Sequence, residues 1–155
     1  MCCYRDKEIE EEVRNSADKK GWITAWKIVA IKDGHFRPLV AAEAPDYKKG
    51  ENKLQPREKR RKNYSPYSPF GFHVYLDFDN AAEDWQDEIR HVDKDGGISL
   101  KPDSFRIVRV KAHIRSLITA GRWINGHERI GVFRRITISS FRHVRDPKTK
   151  RRKAG

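Results

Sequence analysis

Cysteine is almost missing from this chain: Cys2 and Cys3 are the only two in 155 residues, and adjacent thiols cannot form a useful structural bridge with one another. That excludes a disulfide-stapled scaffold and gives no sign of an oxidising compartment. Long apolar runs are missing too. The longest, Trp22 to Ile31, has the length of a strand and contains Lys27, so no membrane-spanning helix is expected and a membrane is not among the expected partners. Acid stands within the first six residues with no apolar stretch beside it, so no secretory signal is read and a cytoplasmic location is expected. The histidines, His35, His73, His91, His113, His127 and His143, show neither H-x-H nor H-x₃-H spacing, and no C-x-x-C pair exists. No metal site and no cofactor is therefore expected. Internal repeats are absent, as is any sequence motif of established chemistry.

What is present is positive charge, unevenly placed. The chain has a net charge of +12. Residues 47–63 carry eight basic and two acidic side chains, and residues 142–155 carry seven and one; outside these stretches 19 basic residues balance 19 acidic ones. The body is neutral, and the excess sits in a segment that reads as a loop and another that reads as a tail. A polyanion or a phosphate-bearing ligand is the natural partner for such segments. The bland reading is that they keep the protein soluble. Hydrophobic residues make up 37% and mean hydropathy is −0.88, a balance that suits a globular core with long polar segments.

The stretch Pro69 to Trp85 organises the rest. Phe70, Phe72, Val74 and Leu76 alternate with Gly71, His73, Tyr75 and Asp77, a period of two with bulk on both faces, which predicts a central strand. Asn80 with Glu83 has capping-box spacing, and Asp79 is an equally good cap, so a helix is expected over about Asn80 to Val92. Upstream, Asp6 to Ala17 reads as a short helix with Ile9 and Val13 on one face. Trp22 to Ile31 reads as a long strand, Asp33-Gly34 as a hairpin turn, and Phe36 to Ala42 as its return at an edge, because of Pro38. From 45 to 68 no period survives, and a basic loop is expected. Downstream, Phe105 to Ile114 reads as a strand, Arg115 to Gly121 as a helical turn closed by glycine, Asn125-Gly126 as a turn, and Ile130 to Ile138 as the last strand. The expectation is a single α+β domain over 1–141, a mainly antiparallel sheet of about five strands with one or two helices packed on it, and a flexible basic tail over 142–155. The tail holds one apolar side chain beyond alanine from 143 onward, Val144, so deleting 143–155 is expected to move the melting temperature by no more than about a degree or two.

Candidate site residues follow from this layout. His73 shares a face with Gly71 and Tyr75, and a glycine beside a histidine leaves room for something to approach the sheet. The candidate pocket is walled by Tyr75 or Trp26, with His73 as polar group, Arg109 nearby, and Arg57, Arg60, Arg61, Tyr64 and Tyr67 of the basic loop closing over it. Tyrosine interleaved with arginine suits stacking on a base while cations hold phosphate. The competing reading is that both strand histidines are partly buried and satisfied by backbone. Weak catalytic candidates are Cys2 as an amino-terminal nucleophile, and His73 with His113, converging over one face as general acid and base. Asp77 and Asp79 form a D-x-D pair at a strand end, for which helix capping is sufficient explanation.

The segments "GWITAWKIV" (21–29) and "GFHVYLDFDNA" (71–81), with Met1-Cys2 at the start and "VFRRITI" (132–138) at the close, together resemble small uncharacterised proteins encoded by phages and prophages. Trp26 stands where that pattern usually has Tyr, and Tyr75 where it has Phe. The resemblance spans about three quarters of the chain, omitting the basic loop and tail, and rests on structural residues. It implies a phage setting, the host cytoplasm as location, and an anti-defence role such as sequestering a nucleotide signal. The expected function is binding of an anionic nucleotide-like ligand without catalysis. The alternative is nucleic-acid binding by the loop and tail, and the third reading is a nucleotide-cleaving enzyme using histidines. An oligomer is compatible with each. If the first reading holds, His73→Ala is expected to abolish binding while neutralising Arg57, Arg60 and Arg61 weakens it less; nucleic-acid binding reverses the order.

Overall fold

A computed structural model describes residues 3–38, 46–54, 71–94, 104–123 and 126–145. Among these the order is β1 (Cys3–Arg5), α1 (Lys7–Ser16), β2 (Trp22–Lys32), β3 (His35–Arg37), β4 (Gly50–Lys53), β5 (Phe72–Tyr75), α2 (Phe78–Lys94), β6 (Phe105–His113), β7 (Leu117–Trp123), β8 (Arg129–Phe133) and β9 (Arg135–Ile138), with a 3₁₀ turn over Ile114–Ser116. The protein is α+β with two helices, and every strand pair is antiparallel. Eight strands follow one path, β1-β7-β8-β5-β2-β6-β9-β4, and β3 adds to the end of β2. The expected sheet of about five strands is too small. β1 and β4 are three and four residues long, too short to show a period of two, and they are held as edge strands by pairing with β7 and β9.

The path curls on itself. Only Arg134 separates β8 from β9, yet β8 pairs with β5 while β9 pairs with β6, so β8–β5–β2–β6–β9 begins and ends on the single segment 129–138. Inside the curl lie Ile23, Ala25 and Val29 of β2, Val108, Val110 and Ala112 of β6, Val74, Phe133, Ile136 and Ile138, closed off by Ile9 and Val13 of α1. The 129–138 segment, expected as one strand, is two. Ile130 and Val132 belong to the outer layer, Phe133 to the inner core, and then Ile136 and Ile138 to the inner core again, so the alternation slips by one residue at Arg134. Such a slip bends a strand and lets it serve two neighbours.

Local signals account for the elements that were legible. Asp6 caps α1, its carboxylate accepting from the Glu8 and Ile9 amides at 2.9 and 3.4 Å, and Ile9 and Val13 are buried. The Asp33-Gly34 turn has φ of 53° and 77°, the left-handed pair that a two-residue hairpin of matching twist requires. α2 begins at Phe78, two residues before the expected Asn80 cap. Asn80 lies inside the helix and its amide oxygen accepts from the Arg129 N–H at 3.1 Å, so a tertiary contact uses the side chain that capping would have needed. Arg115 to Gly121 is not a helical turn: after one 3₁₀ turn the chain enters β7, where Thr119, Ala120 and Gly121 pair with Val132, Gly131 and Ile130. Ile118 and Thr119 are β-branched, and strand pairing outweighs the glycine stop signal.

α2 covers the outer face of the middle strands. Ile28, Tyr75, Phe105, Ile107, Ile130 and Val132 pack with Ala81, and Trp26, Phe78 and Trp85 border them. The Trp85 indole N–H donates to the Phe105 carbonyl at 3.0 Å.

The carboxyl end docks further than its composition suggests. Phe141 stacks on Phe36 with ring centroids 3.9 Å apart. The Ile107 N–H donates to His143 Nδ1 at 3.0 Å, and the Val144 N–H donates to the Ile107 carbonyl at 2.8 Å. The tail boundary expected at Arg142 therefore falls too early, because backbone groups of β6 not bonded to β9 recruit the next residues. Each such bond contributes about 1 kcal/mol, and about 1 kcal/mol is worth about 2–4 °C in a chain of this size. A chain ending at Arg142 is expected to melt about 5 °C below one ending at Arg145, and equal melting curves would show that the docked residues contribute nothing.

Candidate functional site

The long edge of β2 opposite β6 is shared. β5 meets it at Trp26↔Tyr75 and β3 takes it from Ala30 to Lys32, so residues 27–29 have no ladder partner there among the described strands. Lys27 occupies the split. It stands in the inward row of β2 between Ala25 and Val29, opposite Val108, where the other residues are apolar. Its Nζ donates to the His73 carbonyl of β5 at 2.6 Å and lies 5.4 Å from the centre of the Tyr47 ring. Although the residue as a whole is part-buried, desolvation around the ammonium lowers its pKa to about 8. Among the described residues no carboxylate meets it. A buried cation with one hydrogen bond and no counter-ion is costly, and such groups concentrate at functional sites.

Aromatic rings stand beside Lys27. The Tyr47 N–H donates to the Phe36 carbonyl at 2.8 Å, which seats Tyr47 beside β3, and its ring lies 6.4 Å from that of Phe72. Asp46 anchors the same turn through His35 at 2.9 Å and Arg37 at 3.4 Å. Arg57, Arg60, Arg61, Tyr64 and Tyr67 lie outside the described residues, as does Cys2.

The face assigned to a ligand from the sequence is instead filled by the protein. The helix that follows β5 folds back over its own strand, so Trp26, His73 and Tyr75 lie beneath or beside α2. The Tyr75 hydroxyl donates to Asp84 of α2 at 2.7 Å. Burial raises the Asp84 pKa to about 6, with the Tyr75 bond opposing the rise and the Glu128 and Asp87 carboxylates adding to it. Trp26 meets Phe78 edge-on at 6.0 Å. His73 stacks on Trp123 at 5.6 Å with the rings nearly parallel, and its Nδ1 faces the Gly71 carbonyl at 3.1 Å. A carbonyl only accepts, so Nδ1 carries the proton. Burial and then the nearby Lys27 charge lower the His73 pKa to about 4, against the Gly71 bond, which keeps the ring neutral at pH 7. Its Nε2 and the indole nitrogens of Trp26 and Trp123 are buried without a partner among the described residues.

His113 does not converge with His73. It pairs with Trp22, whereas the register of β5 on β2 sets His73 level with Ile28, six residues along the strand and roughly 20 Å away. Its nitrogens are also occupied: one meets the Lys20 carbonyl at 2.7 Å, and the other accepts from the Arg115 N–H at 3.1 Å. Arg109 is exposed opposite Trp26. A cleft of about 200 Å³ between α1 and β2 is lined by Glu12, Ser16, Thr24, Asp77 and Arg129. Here Arg129 bonds both oxygens of Asp77 at 3.2 and 3.1 Å and also pairs with Glu12. Two carboxylates already neutralise the guanidinium, so this cleft repels anions and serves to clamp α1 to the sheet. Asp77 is thus a salt-bridge partner, and among the described residues no His, Cys, Asp and Glu cluster could hold a metal ion.

No family model, no curated protein and no solved structure matches this chain. The site therefore stands on its geometry. Lys27 was visible in the sequence as a lysine on the apolar row Ile23, Ala25, Val29; the signal for its burial was that break in alternation.

Proposed function

We propose that the protein captures an anionic, nucleotide-like small molecule without turning it over, and that Lys27 is the anchor for its negative charge. The observation that carries this reading is the buried Lys27 ammonium with no carboxylate beside it among the described residues. An anion entering between β3 and β5 supplies the missing counter-charge, and the rings of Tyr47 and Phe72 offer apolar surface for a base or sugar. The net charge of +12 suits an anionic ligand, since an excess of positive charge raises the local concentration of anions. No described pair of groups is placed to act as acid and base on one bond at Lys27, which favours capture over cleavage. The resemblance to phage proteins fits a role in sequestering a nucleotide signal.

The test is a thermal-shift series with nucleoside diphosphates, cyclic dinucleotides and cyclic ADP-ribose isomers. A ligand at 100 times its Kd stabilises the fold by about 2.7 kcal/mol, which raises the melting temperature by about 5 °C or more. The Lys27→Met variant is expected to lose that rise, and mass spectrometry of the material released on heating should return the ligand intact. A Lys27→Met protein that keeps the full shift, or a released ligand that has been cleaved, refutes the proposal.

A further inference from the structure

α2 covers only part of the outer sheet face, and among the described residues no other element packs on the remainder. On β2 the outward row is Trp22, Thr24, Trp26 and Ile28, paired with His113, Lys111, Arg109 and Ile107 of β6. Ile28 and Ile107 lie under α2; toward Trp22 no described element covers the face, and Trp22, Thr24, Arg109 and Lys111 are exposed. It continues across two more strands, since Lys111 pairs with Thr137 of β9, Thr137 with Glu51 of β4, and Arg135 with Lys53. One cross-strand line is therefore Thr24, Lys111, Thr137 and Glu51, and the line beside it ends in Arg135 and Lys53. Trp22 is 37% exposed, the one large apolar side chain so exposed among the described residues. Its ring lies perpendicular to that of His113, with centroids 5.0 Å apart.

The charge of this face is one-sided. Arg109, Lys111, Arg135 and Lys53 are all exposed. Against them stands Glu51, 3.8 Å from Lys53 and 3.5 Å from Arg135. Asp18 at the rim is near enough to Lys111 for their charges to interact, and its carboxylate is used by the Lys20 and Trp22 amides at 2.8 and 3.0 Å. The outer surface of this curled sheet, with an exposed indole among spaced cations, matches the recognition of single-stranded nucleic acid, where bases stack on aromatic rings and phosphates meet Lys and Arg. We infer that the open face of β2, β6, β9 and β4 binds single-stranded nucleic acid, with Trp22 as the stacking platform and Arg109, Lys111 and Arg135 as phosphate contacts. This surface lies on the outside of the sheet, whereas Lys27 points inward, so the inference does not depend on the captured small molecule.

The experiment titrates fluorescein-labelled rU12 and dT12 against the full chain by anisotropy between 50 and 200 mM salt. Arg109→Glu, Lys111→Glu and Arg135→Glu together are expected to weaken binding at least a hundredfold at 50 mM. The corresponding Gln triple variant keeps the fold free of reversed charge; its plot of log affinity against log salt should be shallower by about 2, since each phosphate contact on a single strand contributes about 0.7 to the slope. Trp22→Leu retains apolar cover for His113 but has no π face, and is expected to lose about tenfold with the slope unchanged. These losses with either oligonucleotide support the inference. It is overturned if neither oligonucleotide binds the wild type, if the Glu triple variant binds within twofold of wild type, or if Trp22→Leu binds as tightly as wild type.

Discussion

Replacing Lys27 by methionine is expected to stabilise the ligand-free protein by about 2 kcal/mol at pH 7. The folded-state pKa of about 8 lies below the ordinary lysine value of 10.5. At pH 7 the ammonium is charged in both states, and keeping it charged in the fold opposes folding by about 3 kcal/mol. Methionine removes that term and fills similar volume with apolar atoms, at the loss of one hydrogen bond to the His73 carbonyl worth about 1 kcal/mol. The sign with pH follows directly. Between about 8 and 10.5 the unfolded chain holds a proton that the folded chain has released, so wild-type stability gains a rising contribution across that window, and the methionine variant lacks it. Urea denaturation at pH 7 and pH 10 should show the advantage of the variant shrinking or reversing at the higher value. A variant less stable at pH 7, or a difference that ignores pH, would mean that the ammonium is better solvated than its position implies. If stability rises and ligand binding falls together, Lys27 is retained for binding at the expense of the fold.

The same residue shows what the sequence made legible and what it did not. Period-two alternation identified β2, β5 and β6, and the spacing of Ile9 and Val13 identified α1, because those elements bury one clear face. β5 was legible as a central strand, and it has β2 on one side and β8 on the other. The small edge strands were hidden: Gly50, Glu51, Asn52 and Lys53 read as loop by composition. Asn52 is buried there because its amide bonds the Lys48 N–H and the Lys48 and Gly50 carbonyls at 2.9–3.2 Å. No periodicity encodes that kind of satisfaction. β7 was masked by a glycine that reads equally well as a helix stop, and the slip at Arg134 was masked because both halves of 129–138 look like strand.

At the candidate site, the structure differs from the sequence reading in which space is occupied. Reading Gly71 beside His73 as an opening ignored what a directly connected helix must do: with only Leu76 and Asp77 between β5 and α2, the helix has little choice but to return over its own strand. Gly71 is small for a different reason. A Cβ there would lie 2.6 Å from a Val132 methyl and 3.1 Å from the Phe133 carbonyl, so its missing side chain admits β8 and no ligand. Lys27, in contrast, lies where two strands compete for one edge and neither completes it. A gap in a ladder is a tertiary property, and only the lysine in an apolar row announced it.

Truncating Phe133 to alanine should be the most damaging single change in the core, lowering the unfolding free energy by about 3–5 kcal/mol and the melting temperature by roughly 10 °C. Phe133 is the largest fully buried side chain among the described residues. It sits where β8, pairing through Phe133 with Phe72 of β5 and Leu117 of β7, hands over to β9, so the cavity opens at the seam that closes the curled sheet. Neighbours on three strands hold the walls apart, which limits collapse and places the loss toward the upper end. Gly131 supplies the control. A Cβ at that position would meet the Phe133 ring at 2.7 Å and a Leu76 methyl at 3.2 Å, so Gly131→Ala alone overpacks the core at about 1–3 kcal/mol. In the Phe133→Ala background the added methyl enters the vacated space, and the double variant should be more stable than the sum of the single losses predicts by at least about 1 kcal/mol. Strict additivity in chemical denaturation, or a Phe133→Ala loss below about 1.5 kcal/mol, would show that the ring does not brace the seam between β8 and β9.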